Sequence, residues 1–64
     1  MSNRQTKYIK ASRLPYGSEV RIVLDDDSEF TGVVTHLSSQ VYIGERDGYR
    51  GFHYLNNTEV EVVV

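Results

Sequence analysis

Residues 17–44, GSEVRIVLDDDSEFTGVVTHLSSQVYIG, decide the fold because they hold three strand patterns separated by two polar turns. In Glu19–Leu24, Val20, Ile22 and Leu24 fall on every second position, which is the period of a half-buried strand. The following Asp25–Ser28 predicts a tight turn, since aspartate tolerates left-handed backbone and its carboxylate accepts hydrogen bonds from nearby amides. The stretch is therefore expected to begin as a hairpin with an acidic tip.

The second strand of this stretch, Glu29–Leu37, carries a glycine in its interior. Its β-branched residues disfavour a helix. Glycine weakens a strand unless a sharp bend or a close backbone approach requires it. Because one long strand of a small barrel must bend to serve both halves of the wall, Gly32 is expected at that bend. The third strand, Val41–Glu45, follows a polar turn at residues 38–40.

Two more strands are predicted after this stretch, Tyr49–Leu55 and Glu59–Val64. Asp-Gly at residues 47–48 is a strong hairpin signal, and Gly51 is expected at a bulge. The last strand carries valines on both of its faces, and an exposed apolar edge of this kind promotes aggregation unless something pairs with it. We expect either that the barrel closes on this strand or that a neighbouring subunit pairs with it.

Residues 1–16 predict a short helix or an extended basic arm that precedes a barrel domain at residues 17–64. Ser2 and Gln5 have the spacing of a capping box, and four bases recur at every third position: Arg4, Lys7, Lys10 and Arg13. The intervening threonine, tyrosine and isoleucine are mediocre helix formers, so we expect a short or frayed helix, with an extended arm as the alternative. Pro15 ends any helix before it.

Composition limits the chain to one small domain of 64 residues with a net charge of −2 and no cysteine. A core this small usually needs further support, and because disulfides are excluded, oligomerisation is the expected source. Residues 1–18 carry a charge of +4 and the remainder −6. Such a split predicts a basic arm that meets an acidic partner, or an arm that lies on its own acidic body. No apolar run is long enough to span a bilayer, and the N-terminus lacks the apolar centre of a signal peptide, so a soluble cytoplasmic protein without membrane contact is expected.

The chain resembles the Sm-like (LSm) class of small SH3-like barrels over about residues 14–64. The resemblance lies in a first motif, Gly17-x-x-Val20-x-Ile22-x-Leu24 and Gly32-x-Val34-x-x-Leu37, and in a weaker second one, Phe52-x-x-Leu55-Asn56-Asn57-x-x-Val60. It implies a mainly β fold, a strongly bent five-stranded barrel with a short N-terminal helix or basic arm. It also implies RNA binding, and assembly of subunits through the last strand.

The chain departs from that class where its RNA-binding members contact bases. Those members carry an aspartate and an asparagine around the turn after the second strand, where this chain has Ser38 and Tyr42. They carry an Arg-Gly pair after the fourth strand, where this chain has Asn56-Asn57. The residues that clamp uridine-like bases are therefore not reproduced. Some Sm-like proteins instead bind and block a protein partner. Transcription-terminator inhibitors with this barrel are one such type, and the acidic body of this chain is similar to them in charge.

Function is expected to be binding, because no nucleophile–base pair, phosphate loop or metal motif is visible, and neither catalytic nor cofactor or metal residues are predicted. Our first hypothesis is an oligomer that binds RNA or a nucleotide, since bases interleaved with aromatics form stacking platforms. Its candidate residues are Arg4, Lys7, Lys10, Arg13, Tyr42, Arg46, Tyr49, Arg50 and His53. The alternative is a small acidic inhibitor or adaptor, such as one of phage type, that binds and blocks a protein partner. Its candidate interface is Asp25, Asp26, Asp27, Glu59, Glu61 and Val63.

Overall fold

The computed structural model describes residues 4–64, so Ser2 of the predicted capping box lies outside the described residues. In this part of the chain, six antiparallel strands form one sheet that curls into a half-barrel. The strands are β1 (Thr6–Lys10), β2 (Glu19–Val23), β3 (Glu29–His36), β4 (Gln40–Gly44), β5 (Gly51–Leu55) and β6 (Glu59–Val63). Their order across the sheet is β1-β6-β2-β3-β4-β5. No helix within residues 4–64 is long and apolar enough to cross a membrane.

The stretch at residues 17–44 folds as its pattern predicts, into three consecutive antiparallel strands. Ile22 lies opposite Phe30, and Val34 lies opposite Ile43, so the apolar positions of neighbouring strands share the inner face. Burying this face supplies the main stabilisation of the sheet. The buried core consists of Ala11, Leu14, Ile22, Phe30, Val34, Val41, Ile43, Val60 and Val62. The described residues bury no polar or charged side chain.

The prediction of an N-terminal helix is wrong, because Thr6–Lys10 is a strand, β1, that pairs along its whole length with β6. Only Ala11–Arg13 forms a single 3₁₀ turn. The residues that made a helix doubtful, threonine, tyrosine and isoleucine, are good strand formers, and a partner strand is available. After β1, the amide of Ala11 donates to the Thr58 carbonyl at 2.8 Å, and the 3₁₀ turn brings Ala11 and Leu14 into the core.

The last strand, for which either closure of the barrel or a neighbouring subunit was expected, is paired within the chain and is not an edge. β6 lies between β1 and β2, with Val60 opposite Ile9 and Val62 opposite both Lys7 and Ile22. The chain's own N-terminus therefore covers the backbone groups through which a neighbouring subunit was expected to pair. The two edges of the sheet are β1 and β5.

The acidic turn forms as the sequence indicates. The Leu24 amide donates to the Ser28 carbonyl at 2.8 Å, and the Asp27 amide donates to the Leu24 carbonyl at 2.9 Å. Asp27 adopts left-handed backbone with φ 71°, and Asp26 accepts a hydrogen bond from the Ser28 amide at 3.1 Å. The turn thus uses both properties of aspartate that predicted it, the tolerance of left-handed backbone and the acceptance of a hydrogen bond from a nearby amide.

Two glycines are explained by close approach. A Cβ at Gly32 would lie 2.9 Å from the Gly44 carbonyl oxygen and from Cγ2 of Ile43, closer than real Cβ contacts. The expected bulge at Gly51 is absent, since Gly51 pairs in register with Gly44. A Cβ at Gly51 would instead overlap the Tyr42 hydroxyl, because the tyrosine ring covers this position.

Candidate functional site

Two grooves open on the side of the half-barrel that the sheet leaves unclosed, and they meet at Tyr54. The first, which we call the acidic groove, has a volume of about 390 Å³. Its acidic and aromatic walls are Tyr8, Asp25, Asp27, Tyr54, Glu59 and Glu61. The second, the aromatic groove, has a volume of about 480 Å³ and lies beside β5. It is lined by Leu24, Asp25, Asp26, Arg50, Phe52, His53 and Tyr54.

The pairing of β1 with β6 builds one wall of the acidic groove. Tyr8 lies opposite Glu61 in the register of the two strands. The Tyr8 hydroxyl donates to Oε1 of Glu61 at 3.4 Å, and the Thr6 hydroxyl donates to Oε2 at 2.7 Å. These two hydrogen bonds hold the Glu61 carboxylate in place, because each of its oxygens is engaged by a side chain of β1.

Two carboxylates of the acidic groove have no protein partner within residues 4–64. Asp25 lies at the exposed turn and Glu59 at the start of β6, and neither makes a hydrogen bond or an ion pair with another described residue. Asp27, by contrast, is bound by the guanidinium of Arg4. The groove therefore keeps two carboxylates that no other described residue engages and that can accept hydrogen bonds from a partner.

Tyr54 separates the two grooves, and its surroundings keep it protonated. Burial raises the pKa of Tyr54 above its ordinary value of 10.0, and the negative charge of Asp25 raises it further. Both causes disfavour the phenolate. The Tyr54 hydroxyl is therefore a neutral hydrogen-bond donor beside the carboxylates across the physiological range.

The turn that carries the acids is itself ordered by one of them. Hydrogen bonds from the Ser28 hydroxyl and then from the Ser28 amide lower the pKa of Asp26 below its ordinary value of 3.8. Asp26 is thus ionised at neutral pH and faces the aromatic groove, whereas Asp25 lines both grooves. The mouth of the half-barrel is consequently negative on both sides of Tyr54.

The four bases at the N-terminus do not form one stripe. Arg4 lies on the chain's own acidic body, where it contacts Asp27 and, at 3.2 Å, Glu29. The hydrogen bonds that the guanidinium donates to Asp27 and Glu29 raise the pKa of Arg4. Because β1 is a strand, Lys7 and Lys10 fall on opposite faces. Lys10 and Arg13 lie together in a shallow groove with Tyr8 and Glu59.

The predicted aromatic and basic residues of the β4–β5 hairpin are also divided between two faces. Tyr42 and His53 are neighbours on the outer face, with ring centroids 4.7 Å apart. Tyr49 and Arg46 are exposed in the loop between the strands. Arg50 lies on the inner side, with its guanidinium 5.4 Å from the centre of the Phe30 ring. The residues proposed for RNA binding therefore share no single surface.

The acidic residues proposed for a protein interface are brought together much better. Four of the six line the acidic groove: Asp25, Asp27, Glu59 and Glu61. Asp26 lies in the adjoining aromatic groove. Val63 does not line the acidic groove; it lies opposite Thr6, farther along β6, and lines a separate groove with Glu19 and Arg21.

Sequence reasoning missed Tyr8 and Tyr54 as walls of the site. A helix or arm at residues 1–16 hides the alternation of Thr6, Tyr8 and Lys10, which matches that of the acids on the last strand. This match was a usable signal, because polar and basic residues on one strand face pair with acidic ones on another. Tyr54 gave no such signal, since its position depends on the curl of the sheet.

Comparisons with known proteins give this chain no relatives: no family model matches it, and neither a curated protein nor a solved structure does. Within residues 4–64 no three carboxylate or histidine side chains are grouped closely enough to hold a metal ion. Function is therefore inferred from the geometry of the grooves.

Proposed function

We propose that this protein is a non-enzymatic binding module that holds a positively charged segment of a protein partner in the acidic groove. The observation that carries the proposal is the convergence of four carboxylates and two tyrosines on one groove, while the bases are dispersed. The proposal develops the adaptor or inhibitor hypothesis that the sequence suggested. Its interface consists of Asp25, Glu59 and Glu61, and it is extended to Tyr8 and Tyr54.

The chemistry of the groove suits a lysine or arginine side chain. Asp25 and Glu59 can each accept charge-assisted hydrogen bonds from a cation. The faces of Tyr8 and Tyr54 attract the same cation through the ring quadrupole. The surrounding negative charge steers basic segments toward the groove and accelerates their association.

The RNA hypothesis stays a prediction with less support. Affinity for a phosphate backbone grows with the number of cations engaged, and here Arg4 is already paired with carboxylates. Lys7 and Lys10 face opposite ways, and Arg50 stands beside Asp25 and Asp26 in the aromatic groove. The Sm-like resemblance likewise stays a prediction, and it does not supply the base contacts that an RNA-binding member carries.

The proposal is tested with a fluorescent peptide of alternating arginine and serine, titrated with the protein and followed by anisotropy. The variant Asp25→Asn/Glu59→Gln removes the two unpaired carboxylates. We expect its affinity to fall about tenfold or more, which corresponds to roughly 1.4 kcal/mol. The matched control is Glu19→Gln/Asp47→Asn, which removes the same charge from exposed acids that do not line the acidic groove.

Equal losses in the two variants would show that only net charge matters and would contradict a defined groove. An absence of peptide binding at low salt would contradict the proposal outright. A single-stranded oligouridine that binds more tightly than the peptide would favour the RNA hypothesis instead.

A further inference from the structure

The free edge of β5 presents a defined set of backbone groups. On its other side β5 is bonded to β4, with the Glu45 amide donating to the Arg50 carbonyl at 2.9 Å and the Asn56 amide donating to the Ser39 carbonyl at 3.4 Å. Hydrogen bonding alternates along an antiparallel strand, so the backbone N–H and C=O groups of the even-numbered residues of β5 point toward β4. Gly51, His53 and Leu55 therefore direct their N–H and C=O groups away from the sheet, where no other described strand lies.

The two edges of the sheet differ in how they are protected. Natural edge strands are guarded against pairing by lysine, proline, bulges or inward charges. The β1 edge, TKYIK, carries Lys7 and Lys10. The β5 edge, GFHYL, has no lysine, proline, acid or bulge, and Leu55 is 64% exposed. An edge without these guards favours pairing with another chain, and a domain of 64 residues often gains stability by oligomerisation.

The outward groups of β5 are arranged symmetrically about His53. If a second copy lies antiparallel with His53 opposite the partner's His53, then Gly51 faces the partner's Leu55 and Leu55 faces the partner's Gly51. Each of these is a hydrogen-bonded pair, which allows roughly six backbone hydrogen bonds. The outward donors and acceptors of β5 on one copy therefore pair with the acceptors and donors of the same strand on the other copy, as a two-fold interface requires.

We infer that two copies of this chain form a two-fold dimer through antiparallel pairing of their β5 edges, centred on His53. On the outer face, Leu55 packs against the partner's Tyr42, because that ring fills the space above the partner's Gly51. On the inner face, Phe52 lies beside the partner's Tyr54. The aromatic groove of about 480 Å³ supplies room beside the strand for these rings.

A second copy fits this edge better than the other candidate occupants. Pairing β5 with a partner's β1 would join unlike edges and would leave one edge open at each end of a growing chain. Pairing β5 with itself closes after two copies and leaves the lysine-bearing β1 edges outside. An unrelated extended peptide would lack the match between Leu55 and the surface of Tyr42.

The inference is tested by light scattering on the full-length protein over a range of concentrations. The dimer predicts a mass of twice 7.3 kDa that falls toward 7.3 kDa on dilution. The variant His53→Lys places two like charges at the two-fold axis, and we expect its dissociation constant to rise at least about tenfold. The control Tyr8→Lys makes the same change at an outward position of the other edge and should leave the dimer intact.

A second change at His53 tests the same contact if the His53→Lys variant does not fold. In synthetic protein, methylation of the His53 backbone nitrogen removes only an edge-facing N–H, because His53 does not bond to β4. The matched control carries the methyl group on the Tyr8 nitrogen, which faces outward from β1. The dimer should be lost in the first and kept in the second.

A wild-type protein that remains monomeric at the highest soluble concentration would overturn the inference. So would a dimer that survives both changes at His53, since the contact would then lie elsewhere, and so would growth into larger assemblies. These outcomes are independent of the acidic-groove test, which measures peptide affinity rather than mass.

Discussion

At the scale of single residues, glycines and tyrosines determine what the strands can bring together. Gly32 gives β3 room against β4, and Gly51 gives room for the Tyr42 ring. The sequence indicated that Gly32 was needed inside a strand, since a glycine there otherwise only weakens it. It did not indicate the role of Gly51, because the tyrosine that covers this glycine comes from a neighbouring strand.

Substitution of Gly32 by alanine is expected to destabilise the protein by about 1–3 kcal/mol, because the new methyl group meets the backbone of Gly44 and the buried Ile43. Gly48→Ala is the control. The atoms nearest to its methyl group all belong to the Glu45 side chain, and the closest are at its flexible carboxylate end, which can move aside. Urea unfolding of both variants measures the difference. Equal stability of the two variants would contradict the close approach of β3 and β4.

The ionisation of Tyr54 reports the proximity of Asp25. One of the five tyrosines should ionise at higher pH than the others in an ultraviolet titration, and Tyr54→Phe should remove that late step. Asp25→Asn should move it to lower pH, because a negative neighbour disfavours the phenolate. Since the pKa is raised in the folded state, the associated stability is present below pH 10.0 and is lost as the pH rises through the folded value. A late step unchanged by Asp25→Asn would place the carboxylate away from the ring.

At the scale of elements, the N-terminal segment differs most from its prediction, since it forms strand β1 rather than a helix. The bases at every third position suggested a helix. The segment forms a strand instead, because pairing with β6 outweighs the weak helix preference of its residues. The strands β2 to β6 were predictable because their alternation, turns and glycines agree with one another. The partner of β1 was harder to predict, because the paired residues lie about 50 positions apart and only the match between the alternation of Thr6, Tyr8 and Lys10 and the acids of the last strand indicates it.

Removal of residues 1–10 should unfold or aggregate the protein, because it uncovers the edge of β6 and removes Ile9 from its place beside the core. Neutralising the same segment with Lys7→Gln/Lys10→Gln should leave the melting temperature within a few degrees, as both side chains are exposed. Thermal unfolding by circular dichroism compares the two. A truncated protein as stable as the full chain would contradict the pairing of β1 with β6.

At the scale of the whole molecule, the half-barrel has one acidic mouth, one guarded edge and one unguarded edge. The mainly β fold class followed from the sequence, and the acids of the candidate interface were named from it. Their convergence was not predictable, because it depends on β1 lying on β6 and on the β2–β3 turn approaching Tyr54. The proposed binding site exists only through this convergence.

Nuclear magnetic resonance mapping of the arginine–serine peptide on isotope-labelled protein tests the acidic groove at the level of single residues. Binding in the groove predicts that amide shifts concentrate at Asp25, Tyr54 and Glu59, together with Tyr8, and that they vanish in Asp25→Asn/Glu59→Gln. Shifts confined to Tyr42, Arg46 and Tyr49, or spread evenly over all exposed acids, would contradict it.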